Sequence, residues 1–259
     1  MKVVIWCGGR GIRLNEMTEF VPKPIIPIGG RPILWHLMKI YSHFGFNEFV
    51  LCLGYKSDAI KQYFLNYPVL ASDFTKMLRL NSVDIHSTNL EDWKITFAET
   101  GLETLAGGRL LKVKKFLENE DNFMTTYGDG LANIDINELL EFHKKMGKIG
   151  TVTGGHPYSK WGMIKVDSTG LVESFWQKPS LTDYINIGFM VFNKEVFDYI
   201  KGDVEVEKVL QELVRDNQLA MFKHEGFFHA MDTYRDYLDF NKMWEINQPP
   251  WKIWQNDYQ

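Results

Sequence analysis

The chain has 259 residues, with 29 Lys and Arg against 33 Asp and Glu and a formal charge of −4. That length supports a core that buries about 73% of the unfolded chain's surface, so disulfide staples are not required. The charge balance, with no Lys/Arg block of five or more residues, disfavours non-specific nucleic-acid binding, and no run nears the ~18 apolar residues of a membrane span. The amino terminus enters an apolar run at Val3 without the charged region, longer apolar region and cleavage site of an export signal. A cytoplasmic protein with neither nucleic acid nor membrane as partner is expected.

In chain order, residues 2–7 form the first apolar, β-branched run and read as a buried strand. A helical pattern over 32–44 leads to a strand over 48–55, a helix over 57–64 leads on, and a helix over 108–117 precedes a strand over 123–127. These helices, like the next over 136–146, have the length that carries a parallel crossover. Beyond Gly147 the strands come faster, at 151–153, 163–166, 171–176, 185–192 and 219–224, and helices over 205–216 and 234–246 close the chain. Residues 68–93 are the least regular part and read as a functional excursion, an edge hairpin or a subunit contact. No linker or repeat divides the chain. The expected fold is therefore α/β, a single Rossmann-like three-layer domain over 1–259 with a mixed, mainly parallel central sheet. Cys7 and Cys52 each lie in a strand run and read as buried thiols.

The first strand ends in Cys7-Gly8-Gly9-Arg10-Gly11-Ile12-Arg13-Leu14, and Pro22-Lys23-Pro24 follows. Glycines straight after a strand let backbone amides approach phosphate oxygens, and Arg13 and Lys23 add fixed positive charge, which together make an anion cradle. The letters contain no G-x-x-x-x-G-K-[ST], and Leu14 stands at the last glycine of G-x-G-x-x-G, which argues against a P-loop and a dinucleotide site.

This combination resembles the sugar nucleotidyltransferases, and among them the glucose-1-phosphate cytidylyltransferase (CDP-glucose pyrophosphorylase) family. The resemblance runs through Lys23-Pro24, Ile28-Gly29-Gly30-Arg31-Pro32-Ile33-Leu34-Trp35-His36, Gly54-Tyr55-Lys56, Thr100-Gly101, Gly107-Gly108-Arg109-Leu110 and Thr126-Tyr127-Gly128-Asp129-Gly130. It continues through Lys178-Pro179, Met231-Asp232-Thr233 and Pro250-Trp251-Lys252. The resemblance implies a nucleotide-binding half over 1–130 and an acceptor-binding half over 131–259. It places CTP on Gly8, Gly9, Gly11, Arg13, Lys23, Thr100, Gly101, Gly128 and Asp129, with the cytosine edge near Thr100-Gly101 and Gly107-Gly108. The acceptor falls to Gly162, Gln177, Lys178, Asn186 and Ile187.

By the same resemblance Asp129 and Asp232 hold Mg²⁺, a hard ion that prefers one or two carboxylates plus phosphate oxygens and water. Read without it, the two are a turn aspartate and a helix cap. The implied reaction is in-line attack of an acceptor phosphate oxygen on the α-phosphorus of CTP, expelling pyrophosphate. Arg13, Lys23, Lys178 and Mg²⁺ position the reactants and neutralise charge. The nucleophile is already anionic, so no histidine is needed, and His36 and His143 read as structural. A homo-oligomer is also implied.

Four departures bear on the acceptor and the cradle. Ile12 stands where the signature has Thr, Gln177 replaces the Glu of Glu-Lys-Pro, and Ile187 replaces the first Gly of Asn-Gly-Gly. Phe228-His229-Ala230 replaces the Trp-Gln-Pro before Met-Asp-Thr. A site built to hydrogen-bond its substrate discriminates strongly, so these changes can redirect the acceptor. Glucose 1-phosphate is the default expectation. A phosphorylated amino acid or amide such as phosphoglutamine, or a phosphonate, is the competitor, and a non-catalytic nucleotide binder is a further alternative.

Overall fold

Four residues within the first apolar run, Val3–Trp6 (β1), are all buried and form an inner strand of the principal sheet. The computed structural model describes residues 1–11, 21–86, 90–156, 161–177 and 181–255. Arg13 and Lys178, with Ile12 and Pro179, lie outside the described residues.

After β1 comes a short ladder, Pro27–Ile28 (β2) with Arg31–Pro32 (β3), and then helix Ile33–His43 (α1). Strand Glu48–Leu53 (β4) is followed by helix Ser57–Leu70 (α2) and by a hairpin of Phe74–Met77 (β5) and Ser82–Ile85 (β6). Next come strand Lys94–Glu99 (β7), helix Ala106–Val113 (α3), strand Asn122–Tyr127 (β8), the three-residue strand Gly130–Ala132 (β9) and helix Ile136–Met146 (α4). The chain then runs through Gly150–Gly155 (β10), a hairpin of Gly162–Val166 (β11) and Val172–Gln177 (β12), and Ile185–Asn193 (β13). Helix Val206–Arg215 (α5), strands Leu219–His224 (β14) and Phe228–Ala230 (β15), and helix Tyr234–Glu245 (α6) complete it.

Seven strands join in the order β14-β10-β13-β8-β1-β4-β7. β1 pairs in parallel with β4 and β8, β4 with β7, and β10 with β14, while β13 runs antiparallel to both its neighbours. The sheet is thus mixed and mainly parallel. Alternate residues of each strand face opposite sides. On one side Val3, Ile5 and Cys7 pack with α1, α4 and Phe240 of α6, and on the other Val4, Trp6, Val50 and Cys52 pack with α3 and α5. That is the three-layer arrangement expected, with β1, β4, β7 and β8 from the first half of the chain and β10, β13 and β14 from the second sharing one sheet.

The helix over 136–146 has the bounds the pattern predicts, because Asp135 accepts from the Glu138 N–H at 3.0 Å and Gly147 closes the other end at φ 58°. α2 runs six residues past its predicted end at Phe64, to Leu70. Pro68 sits in its last turn, where burial of Tyr67 and the bond from its hydroxyl to Glu91 at 2.8 Å hold the chain helical. The described part of 68–93 contains a hairpin, β5 with β6, which forms a two-stranded sheet of its own, with Phe74, Met77, Leu78, Leu80 and Val83 exposed. Strand β7 has no counterpart among the predicted strands. It lies at the sheet edge behind that irregular stretch, and its pattern is interrupted by partly exposed residues. Both cysteines are buried, as expected, and burial pushes the Cys52 thiol up to about 12.

Candidate active site

From β1 the chain builds β4 and β7 on one side and then crosses back to lay β8 on the other. Reversal of strand order opens a crevice at the carboxyl ends of the two strands that flank it, the usual ligand position in such sheets. Here the ends of β1 and β8 meet a cavity of about 440 Å³, lined by Cys7, Gly8, Gly9, Arg10, Gly11, Lys23, Pro24, Tyr127, Gly128, Asp129 and Asp232, with Trp6, Leu105, Ala106 and Glu205.

The glycine loop is held from below. The Gly8 carbonyl accepts from the Tyr55 N–H at 3.1 Å and from Arg109 Nη2 at 3.2 Å. Arg109, buried on α3, also donates to the carbonyls of Leu53 and Leu102 and to the Thr100 hydroxyl. A Cβ at Gly8 would lie 2.0 Å from the Arg109 guanidinium, so only glycine allows this approach. Cys7 is buried beside the loop, and burial, together with Cys52 and Asp129, pushes its thiol well above the ordinary range, which keeps it protonated.

Two carboxylates converge at the cavity through a ladder between distant segments. β9 and β15 pair antiparallel with Gly130 opposite Ala230, and the Met231 N–H donates to the Asp129 carbonyl at 2.9 Å. Asp129 precedes one strand and Asp232 follows the other, so the pairing sets them side by side. Lys23, in a 3₁₀ turn over Lys23–Ile25, reaches both, with Nζ 2.7 Å from Asp129 Oδ2 and 2.8 Å from Asp232 Oδ1. Burial works against the Lys23 ammonium, but the charges and hydrogen bonds of Asp129 and Asp232 outweigh it and raise its pKa above the ordinary lysine value.

Asp232 also stands at the mouth of α6. Thr233 is the N-cap, its hydroxyl accepting from the Asp236 N–H, while Asp236 Oδ2 accepts from the N–H groups of Asp232 and Thr233. Burial works against the Asp236 charge, yet His229 and the Thr233 donors outweigh it and hold the carboxyl far below the usual range.

The structure thus brings Gly8, Gly9, Gly11, Lys23, Gly128, Asp129 and Asp232 into one cavity. Thr100 and Gly101 are not on its lining. The Thr100 hydroxyl is spent on the Leu53 carbonyl at 2.6 Å, and Thr100 and Gly101 lie behind Arg109 and Thr104. The amides of Gly107 and Gly108 both point at the Val204 carbonyl, seating the start of α3. Gly162 and Gln177 are cross-strand partners at one end of the β11–β12 hairpin and are not among the lining residues. Asn186 accepts from the Gly188 N–H at 2.9 Å, and Gly188 lies against the Tyr127 ring of the cavity wall. Ile187 is buried over Gly155.

Sequence reasoning missed Arg109, although it stands in the quoted Gly107-Gly108-Arg109-Leu110, and missed the wall of Trp6 and Tyr127. Those rings lie 5.0 Å apart, with Tyr127 bonded to Glu207 at 3.0 Å. No spacing links these residues, since α3, α5, β1 and β8 meet only in the folded chain.

A family model for nucleotidyl transferases matches residues 2–248. The chain belongs to the nucleotidyl transferase family. This nucleotidyl transferase is 44% identical over 257 residues to a Bacillus subtilis (strain 168) protein named a probable glucose-1-phosphate cytidylyltransferase, covering 98% of the chain and 100% of the relative. It is 41% identical over 258 residues to the glucose-1-phosphate cytidylyltransferase of Salmonella typhimurium, with the same coverage of both chains. Among solved structures, HddC from Yersinia pseudotuberculosis has a TM-score of 0.69 at 22% identity, with 94% of this chain and 99% of that one covered, and supports the fold. A UDP-glucose pyrophosphorylase solved with UDP-glucose has a TM-score of 0.68 at 14% identity over 95% and 98% of the two chains.

Two carboxylates beside a glycine loop, together with nucleotide phosphate oxygens, form the all-oxygen set a hard divalent cation prefers. Among the described residues no group of three or more His, Cys, Asp and Glu is placed to hold a metal. Among the described residues no helix is long and apolar enough to cross a membrane.

Proposed function

We propose that the protein transfers CMP from CTP to a small phosphorylated acceptor, with glucose 1-phosphate as the default acceptor and CDP-glucose as product. The observation that carries this reading is the convergence of Asp129 and Asp232 on Lys23 beside Gly8 and Gly9. The names of the 44% and 41% identical relatives support the choice of CTP and glucose 1-phosphate.

In this reading the first half of the chain binds the nucleotide and the second the acceptor. Gly8, Gly9 and Gly11 offer backbone to the triphosphate, and Lys23 adds positive charge from a half-buried position where its charge is favoured. Arg13 and Lys178, by resemblance, bind the triphosphate and the acceptor phosphate. An acceptor phosphate oxygen attacks the α-phosphorus, the bond from that phosphorus to the β-phosphate bridging oxygen breaks, and pyrophosphate leaves with the electron pair. The acceptor oxygen is already anionic, so the step needs no base from the protein. Asp129 and Asp232 would hold Mg²⁺, which supplies Lewis-acid neutralisation of the phosphates. We further propose a homo-oligomer in cytoplasm, its subunit contact using the exposed apolar faces of the β5–β6 and β11–β12 hairpins.

A second reading keeps CTP and changes the acceptor to a phosphorylated amide or amino acid, or a phosphonate. It rests on Ile187, a branched side chain buried next to the Gly188–Tyr127 contact, and on the neutral Gln177. Pyrophosphate release with CTP and Mg²⁺ across sugar 1-phosphates, phosphorylated amides and amino acids, and phosphonates tests both. Turnover with glucose 1-phosphate supports the default, and turnover only with a non-sugar supports the second reading. CTP-dependent thermal stabilisation without turnover on any acceptor overturns both in favour of a non-catalytic binder.

A further inference from the structure

Asp236 lies on α6, outside the cavity lining, yet it is bonded to the backbone that carries Asp232. Its Oδ2 accepts from the Asp232 N–H at 3.0 Å, the Thr233 N–H at 2.7 Å and the Thr233 hydroxyl at 2.8 Å. Its other oxygen lies 3.3 Å from His229 Nε2 on β15. An ordinary capping box needs only the bond to the N-cap amide, here Thr233. The additional bond, to Asp232 itself, does nothing for the helix that the Thr233 bond does not already do.

We infer that Asp236 is a positioning residue for the cation site, fixing the Asp232 peptide so that its side chain meets Asp129. The chain at Asp232 is pinned on both sides. Behind it the Met231 N–H is bonded to the Asp129 carbonyl and the Asp232 N–H to Asp236, and ahead of it the Thr233 N–H is bonded to Asp236. With both peptides held, the Asp232 carboxylate swings only about its own side-chain torsions, and its Oδ1 is delivered 2.8 Å from the ammonium it shares with Asp129. Bonds to an ionised acceptor are short and strong, so the carboxylate suits this task better than a neutral amide. Groups that orient a metal's ligands typically change metal affinity 10–100-fold when removed. The inference rests on the reading of Asp232 as a cation ligand.

The test is binding of Mn²⁺–CTP to the whole protein, read by the enhancement of water proton relaxation, beside the Mg²⁺ dependence of turnover. Asp236→Asn is expected to weaken Mn²⁺–CTP binding about 10-fold and to raise the half-saturating Mg²⁺ similarly, with the acceptor KM held. Thr233→Ala, which removes the cap hydroxyl and leaves Asp236 on the Asp232 amide, is expected to lower the melting temperature and leave Mn²⁺–CTP binding within about twofold. Should Asp236→Asn not fold, Asp236→Glu carries the same test, with its carboxylate displaced by one methylene and an expected weakening of at least about threefold. Wild-type Mn²⁺–CTP binding in the folded Asp236 variant, with binding lost in Asp232→Asn, overturns the positioning role alone. Wild-type binding in Asp232→Asn overturns the cation-site reading and this inference with it.

Discussion

The Met231 N–H donates to the Asp129 carbonyl at 2.9 Å, and this one backbone bond joins the segment after β8 to the segment before α6. It extends the short β9–β15 ladder by one step, and that step brings the two acidic side chains to a common lysine.

Removing that lysine takes from two half-buried carboxylates the ammonium they share. Lys23→Met is expected to lose about 1–3 kcal/mol of stability, less than for a fully buried pair because both carboxylates are partly exposed. Millimolar Mg²⁺ should restore more of the melting temperature in Lys23→Met than it adds to the parent. Melts with and without Mg²⁺ check this, and an equal effect on both proteins contradicts it.

Asp129→Asn keeps the shape of the turn and its backbone carbonyl, so the ladder to Met231 survives. Its circular dichroism should match the parent's, while pyrophosphate release falls by about 100-fold or more. Unchanged turnover would place the cation elsewhere.

Arg109→Lys tests the support beneath the glycine loop. Four oxygens, on Gly8, Leu53, Thr100 and Leu102, accept from one planar guanidinium, and an ammonium cannot reproduce that fork. The KM for CTP should rise about 10-fold or more and the melting temperature should fall. A lower melting temperature with the CTP KM unchanged would make Arg109 a packing residue only.

His36 gives the fold an acid sensitivity. Its Nε2 bonds the Ile28 carbonyl at 2.9 Å, so that nitrogen carries the proton and Nδ1 accepts from the Trp251 indole at 3.4 Å. Burial lowers its pKa to about 4 from 6.5. The folded state therefore takes up the proton later than the unfolded state does. The stability this contributes is present above the unfolded pKa of 6.5 and is lost as pH falls from there toward 4, about 3 kcal/mol in all. Urea denaturation of the parent and His36→Gln at pH 7 and pH 5 checks it, with the parent losing about 2 kcal/mol more over that interval.

Much of the candidate site was legible because its parts are local. The turn from Cys7 to Gly11 follows its strand directly, and Tyr127-Gly128-Asp129 ends another, so strand and motif were read together. Ladders of two or three residues, such as β2–β3 and β9–β15, went unread because so few residues show no period. Thr100 shows the converse. Its motif pointed to the nucleotide, while in the fold its hydroxyl bonds the Leu53 carbonyl and accepts from Arg109.

The order of apolar runs and crossover-length helices was enough for the α/β class, the buried thiols, the bounds of α4 and the glycine loop, because each depends on neighbours a few residues away. The tertiary structure alone decided that Arg109 lies under Gly8, that Trp6 meets Tyr127, and that Lys23 binds Asp129 and Asp232 together. Those contacts depend on strand order and on a backbone ladder between distant segments. Nothing in the spacing of residues encodes which strand edges will meet, since pairing is set by burial of the whole sheet at once.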